Sequence, residues 1–111
     1  MTHAALEIAR AFNMIKMVFI GMGGHDWRTA IAAAHVSTNI YLETSGPLDR
    51  AKLPAAFDAI GAHRIVFGSG TPHVDAAAAM GLVEDSPLSD DVRKRIYYGN
   101  AMRLLGLDAS E

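Results

Sequence analysis

Cysteine is absent from this 111-residue chain, which excludes disulfides, thiolate metal sites and a cysteine nucleophile. Basic charge is in no excess. Ten Lys and Arg stand against twelve Asp and Glu, for a formal net charge of -2, so no basic stripe is available to neutralise phosphates and no nucleic-acid partner is expected. No apolar run approaches the ~20 residues of a membrane span. The N-terminal Met1-Thr2-His3-Ala4 lacks the basic stretch and apolar core of a signal peptide. The expectation is therefore a cytoplasmic protein without a membrane partner. Glycine is scattered and no heptad is sustained, which excludes collagen-like and coiled-coil chains. What is present is apolar: 50% of the residues are hydrophobic and 20% charged, a balance that argues against disorder. The length suits one domain, residues 1–111, with no low-complexity linker.

Apolar periodicity divides the chain into alternating elements. Ala5, Leu6, Ala9 and Phe12 recur at helical spacing over residues 3–12. Met17-Val18-Phe19-Ile20 is a short apolar run of the kind expected for a strand buried on both faces. After the loop Gly21-Met22-Gly23-Gly24, Asp26 is placed to cap a helix whose Trp27, Ala30, Ile31 and Ala34 form one apolar face. A second strand follows from Ile40 to Thr44, then turn residues Ser45-Gly46-Pro47. Leu53, Ala56, Phe57 and Ile60 repeat the helical pattern, with Gly61 as C-cap, before a third strand, Arg64–Phe67. Beyond Pro72 the pattern is helical: an Ala-rich stretch from Val74 to Met80, a helix capped by Ser89, and a last helix capped by Asn100 after an interruption at Gly99. The Ala-rich stretches read as packing surfaces and the six Met as core filler. Strand starts lie about 25 residues apart, the spacing of βα units joined by crossovers. In such units chemistry gathers where strands end and loops begin. The relevant loops are 21–25, 43–46 and 68–73.

The first loop admits a dinucleotide reading. Gly21-x-Gly23 follows a strand and opens a helix, and Glu43 ends the next strand about 20 residues later, the layout of a Rossmann fingerprint. The third glycine is missing. Asp26 stands there instead, and its charge would repel a phosphate at the helix N-terminus.

The three loops taken together support a different reading. The run Met17-Val18-Phe19-Ile20-Gly21-Met22-Gly23-Gly24 resembles the sixth-strand pattern of an apolar run followed by His-x-Gly-Gly. Asn39-Ile40-Tyr41-Leu42-Glu43-Thr44-Ser45-Gly46 resembles the seventh-strand pattern Asn-hydrophobic-Tyr-hydrophobic-Glu-Thr-Ser-Gly. Gly61-Ala62-His63-Arg64-Ile65-Val66-Phe67-Gly68-Ser69-Gly70-Thr71-Pro72 resembles the eighth-strand pattern Gly-Ala-x-Arg-Ile-x-Phe-Gly-Ser-Asp-x-Pro. Asn100 to Leu107 resemble a closing helix, Asn-Ala-x-Arg-Leu-Leu-Gly-Leu. These patterns are those of the amidohydrolase-related metal-dependent hydrolases, the (β/α)8 barrels that include aminocarboxymuconate-semialdehyde decarboxylase. The implied fold is α/β: a partial TIM-barrel-like piece, three parallel strands with flanking helices, corresponding to the last three βα units. The implied activity is hydrolysis or decarboxylation of a small organic acid or lactone, with Zn as the usual metal.

The resemblance also shows what has changed. In that family the His of His-x-Gly-Gly lies at the barrel mouth, and the Asp of Gly-Ser-Asp-x-Pro binds the metal or handles the proton of its water. Here Gly21 and Gly70 stand at those positions, a one-residue deletion at Gly21 fitting the pattern as well as a substitution, and either way the imidazole is absent. Glycine has neither a ligand atom nor a titratable group. The family's first-strand His-x-His and fifth-strand His have no counterpart among these residues, and three strands do not close an eight-stranded barrel. No metal is therefore expected on this chain, and no catalytic residue is assigned. His25, Glu43 and His73 are the residues expected near the rim. Two histidines fall short of the three or four ligands of a Zn site, so His25 and His73 read first as polar loop residues and Glu43 as a hydrogen-bonding scaffold residue. His3, His35 and His63 read as surface residues, and Ser69 lacks a nucleophile elbow. The expected partners are a small-molecule substrate for the parent enzyme and either a second copy of the chain or the missing barrel half. The strands 17–20 and 64–67 would each leave an open edge.

Overall fold

Burial alternates along the middle strand: Ile40 and Leu42 are fully buried, Tyr41 and Glu43 only half. That alternation sets the architecture of the computed structural model, which describes residues 2–71 and 75–107. The order is α1 (Thr2–Ala11), β1 (Met17–Phe19), a tight turn over Ile20–Asp26, α2 (Trp27–Val36), β2 (Ile40–Glu43), α3 (Lys52–Ile60), β3 (Ile65–Val66), α4 (Ala76–Glu84), α5 (Asp90–Lys94), a π turn (Arg95–Gly99) and α6 (Asn100–Leu104). The three strands are parallel in the order β1-β2-β3. Met17 is in register with Ile40, Phe19 with Leu42, and Leu42 with Ile65. These five side chains share one face and pack on Ala9, Ala30, Ile31, Ala34, Leu53 and Ala56 of α1, α2 and α3. Val18, Tyr41, Glu43 and Val66 share the opposite face, the one that lines the interior when such a sheet is closed.

A polar side chain ties each helix-to-strand return to the next unit. The Asn39 Nδ2 amide donates to the carbonyls of Ala9 (3.0 Å), Phe12 (3.4 Å) and Ile15 (2.8 Å), where α1 turns into β1. The Arg64 Nη1 group donates to Ala34 (3.0 Å), Ser37 (3.3 Å) and Ile40 (2.7 Å), where α2 turns into β2. The Asn100 Nδ2 amide donates to the carbonyls of Ala62 and Ile65, where α3 turns into β3. Helix C-termini leave carbonyls without intrahelical partners. Here the following unit supplies the donors, and the last unit is served by the C-terminal helix.

Several sequence expectations are corrected. Asn100 does not cap a separate helix: α5 runs through the π turn into α6, and Asn100 is fully buried against β3. The π turn directs the Ile96 carbonyl to the Phe67 amide (2.8 Å), so the edge of β3 is covered. The strand at Met17–Phe19 is not buried on both faces, since Val18 is 36% exposed at the sheet edge. Asp26 stands at the N-cap of α2 without a capping hydrogen bond and accepts instead from the Thr2 hydroxyl (2.9 Å). Among the Met residues Met22 is fully buried, whereas Met14 is 92% exposed. In α4 only Ala79 of the Ala-rich stretch is buried, because the helix packs through a strip of Ala79, Leu82 and Val83. The N-terminal part of that stretch, Val74, lies outside the described residues. Among the described residues no helix is long and apolar enough to cross a membrane.

Asn39→Ala removes the side-chain donor that joins three carbonyls of the α1–β1 return. It is expected to destabilise the chain by about 2–3 kcal/mol, read as a lower urea midpoint at unchanged slope. Glu7→Ala, at an exposed position on α1, is the control and shifts the midpoint little.

Candidate active-site rim

The C-terminal ends of the three strands converge on one carboxylate. Glu43 Oε1 accepts from the Gly21 amide (2.8 Å), the Ser45 amide (3.1 Å) and the Ser45 hydroxyl. Oε2 lies against β3: a Cβ built on Gly68 would fall 1.6 Å from it. A side chain at 68 would therefore have to push the carboxylate aside. The Gly68 amide in turn donates to the Thr44 hydroxyl (3.3 Å), and Thr44 is 2% exposed. Beside this cluster the Lys52 ammonium, on a fully buried residue in the first turn of α3, donates to the Ser45 carbonyl (2.8 Å). Burial lowers its pKa from 10.5, against the opposing charges of Glu43 and Asp49.

The loop after β1 is a left-handed turn. Gly21, Met22 and Gly23 have φ of 66°, 53° and 83°. Only glycine enters this region without cost, and a non-glycine residue costs about 1–2 kcal/mol there. Met22 is held in it by complete burial of its side chain in the core. The turn brings Gly21 against Gly46, where a Cβ would come within 3.2 Å of the Gly21 backbone.

Gly21 is thus buried at the rim, presenting only its amide, and Gly70 has φ of 73° in the loop after β3. His25 lies exposed at the far end of the turn, and none of the groups hydrogen-bonded to Glu43 is a histidine. His73 lies outside the described residues. Among the described residues no group of three or more His, Asp or Glu side chains is placed to hold a metal ion. The donors present do not fit the Zn implied by the sequence pattern, since Gly21 and Gly70 offer no side-chain ligand. The geometry also leaves little for a dinucleotide: the Gly21 amide that a pyrophosphate would need is already taken by Glu43. Sequence reasoning missed Lys52, Thr44 and Gly68. Lys52 had a signal, since it stands four residues before Ala56 on the apolar stripe of its helix.

The parallel sheet, the helices on one face and the polar rim at the strand ends are the arrangement found in part of a TIM barrel. The chain belongs to the amidohydrolase family: the family model described as Amidohydrolase matches residues 1–107. Comparison with curated proteins gives no match. Among solved structures, 2,6-dihydroxybenzoate decarboxylase from Rhizobium is 28% identical, with a TM-score of 0.61 over 71% of this chain and 24% of that one. An amidohydrolase from Burkholderia multivorans with bound Zn is 24% identical, with a TM-score of 0.73 over 92% of this chain and 49% of that one. Dihydroxybenzoic acid decarboxylase from Polaromonas sp., with bound manganese and the inhibitor 2-nitroresorcinol, is 24% identical, with a TM-score of 0.70 over 93% and 37%. The chain therefore spans less than half the length of each of these structures.

Two predictions follow the geometry. Gly68→Ala should destabilise the chain by about 1–3 kcal/mol by driving the Glu43 carboxylate off its donors. In a Glu43→Ala background the same change should cost much less, which urea titration of the double-mutant cycle measures. For Lys52 the folded pKa lies below the unfolded 10.5. Between the two values the unfolded state binds more protons, so stability gains a positive component as pH rises from the lowered value towards 10.5. Lys52→Met should lack that component, which the difference between the two stability–pH profiles reads out.

Proposed function

We propose that residues 1–111 form a single domain equivalent to the last three βα units of an amidohydrolase-family barrel. The parent enzyme is a metal-dependent hydrolase or decarboxylase of a small organic acid or lactone, and this chain is catalytically silent on its own. The observation that carries the reading is the chemistry of the rim. The scaffold groups are in place, while the two positions where the family pattern has a reactive His and Asp hold Gly21 and Gly70. The decarboxylase neighbours favour an aromatic or other small carboxylic acid as the parent's substrate, and their bound manganese and Zn favour a divalent metal in the parent. Glu43 serves in this reading as a positioning residue, because its Oε1 already accepts three hydrogen bonds. His25, exposed at the end of the turn, has no ligand role in this reading. The expected partners are a second copy or a polypeptide carrying the other βα units.

Elemental analysis of the purified chain should find no stoichiometric divalent metal. About one tightly bound Zn per chain would overturn the assignment and promote His25 and His73 to ligands. The variant Gly21→His/Gly70→Asp, incubated with Zn or Mn and 2,6-dihydroxybenzoate, should also show no turnover, because the ligands from the other strands are missing. Metal-dependent carbon dioxide release by that variant alone would refute the silent-section reading.

A further inference from the structure

Arg28 is a cation without an acid. The ion pairs among the described residues join Arg50 to Asp85 and Arg93 to Asp90, and neither involves it. Its guanidinium carbon sits instead 4.1 Å from the centroid of the Trp27 ring, within the ~6 Å reach of a cation–π contact. Trp27 is 4% exposed while Arg28 is exposed, so the guanidinium covers the ring and keeps its own contact with solvent. A guanidinium makes its hydrogen bonds in its own plane. Stacking uses the face and leaves the N–H edge free.

Beside this stack runs a groove of about 400 Å³, lined by Trp27, Arg28 and Ile31 of α2 and by Ala51 and Ala55 at the start of α3. Arg28 is the one charged side chain among the five. Trp27 and Ile31 are buried and make an apolar floor, and the two alanines keep the α3 wall low. α2 joins β1 to β2 and α3 joins β2 to β3, so the groove lies in the middle of the helical layer, away from both edges of the sheet. Sites that take a small molecule begin at roughly 300 Å³. The groove has room for a single ring.

We infer that this groove binds a small monocarboxylate with an apolar body, of the size of benzoate. The apolar part lies against Ile31, Ala51 and Ala55, and the carboxylate accepts from the free edge of Arg28. Two in-plane N–H donors match the two oxygens of a carboxylate, and such charge-assisted bonds are stronger than neutral ones. The stack on Trp27 holds the fork before the ligand arrives, so less side-chain freedom is lost on binding. Other occupants fit less well. A cation would meet the charge of Arg28, a dianion would find one cation among the lining groups, and a neutral ring would leave the guanidinium edge unused. Glu43 lies on the opposite face of the sheet from α2 and α3. The site is therefore separate from the rim, and the inference does not depend on the parent enzyme's reaction.

Trp27 is the one tryptophan of the chain, so its fluorescence reads the groove directly. Titration with benzoate should give a saturable change in the millimolar range and should move the amide NMR signals of residues 27–31 and 51–55. Benzamide, the neutral isostere, should bind about tenfold more weakly. Arg28→Met should weaken benzoate by a similar factor, with an unchanged far-UV circular dichroism spectrum. Ala51→Glu sets a carboxylate into the groove from an exposed position at the start of a helix, where an acid is well tolerated. It should compete with benzoate for Arg28 and abolish the response. A change that never saturates, benzamide binding as tightly as benzoate, or Arg28→Met binding benzoate unchanged would each overturn the proposal. If Arg28→Met fails to fold, Ala51→Glu decides in its place, by losing the benzoate response or by keeping it.

Discussion

The C-terminal ends of three strands are held by the Glu43 carboxylate. Parallel strands end in loops, and loops of this length do not fix their own geometry. Glu43 supplies what they lack. It accepts from the Gly21 amide at the end of β1, from Ser45 in its own loop, and it lies in van der Waals range of Gly68 at the end of β3. A charged acceptor makes stronger hydrogen bonds to amides than a neutral one. Several local sequence choices then follow: a residue without a side chain at 68, a backbone that curls left at 21–23, and a lysine buried beside the Ser45 carbonyl.

The other end of the sheet is fixed by a different device, repeated three times. Asn39, Arg64 and Asn100 each reach back to the carbonyls of the preceding helix-to-strand return. The pattern has a direction, each unit being completed by its successor. The C-terminal helix completes the last unit. Apolar residues of α1 and β1 are exposed on the opposite side of the sheet.

Much of this fold is legible in the sequence because it rests on short-range periodicity. Trp27, Ala30, Ile31 and Ala34 are all buried as their spacing implies, and the three strands fall in the runs that strand formers mark. The clamps were not legible. Asn100 lies 38 residues from Ala62, and an asparagine after a glycine reads locally as a cap. The contact that covers β3 has no local signal for the same reason, since it needs a π turn that places a helix carbonyl against a strand amide. At the rim, Gly21, Glu43 and Gly70 were visible as departures from or matches to a family pattern. The reason for Gly68 was not, because a glycine that admits a carboxylate looks like any loop glycine.

The two rim glycines have a stability logic of their own. Gly21 and Gly70 both hold positive φ, at 66° and 73°. A His or Asp in that conformation carries a strain of about 1–2 kcal/mol, which glycine relieves. Such strain persists at functional sites only while the function requires it. Glu43 uses the backbone amide of Gly21 and is indifferent to the side chain there, so replacing it leaves the clamp intact. Glycine at 21 and 70 therefore leaves the clamp intact and meets both positive φ values without strain. Losing Glu43 would release three strand ends at once.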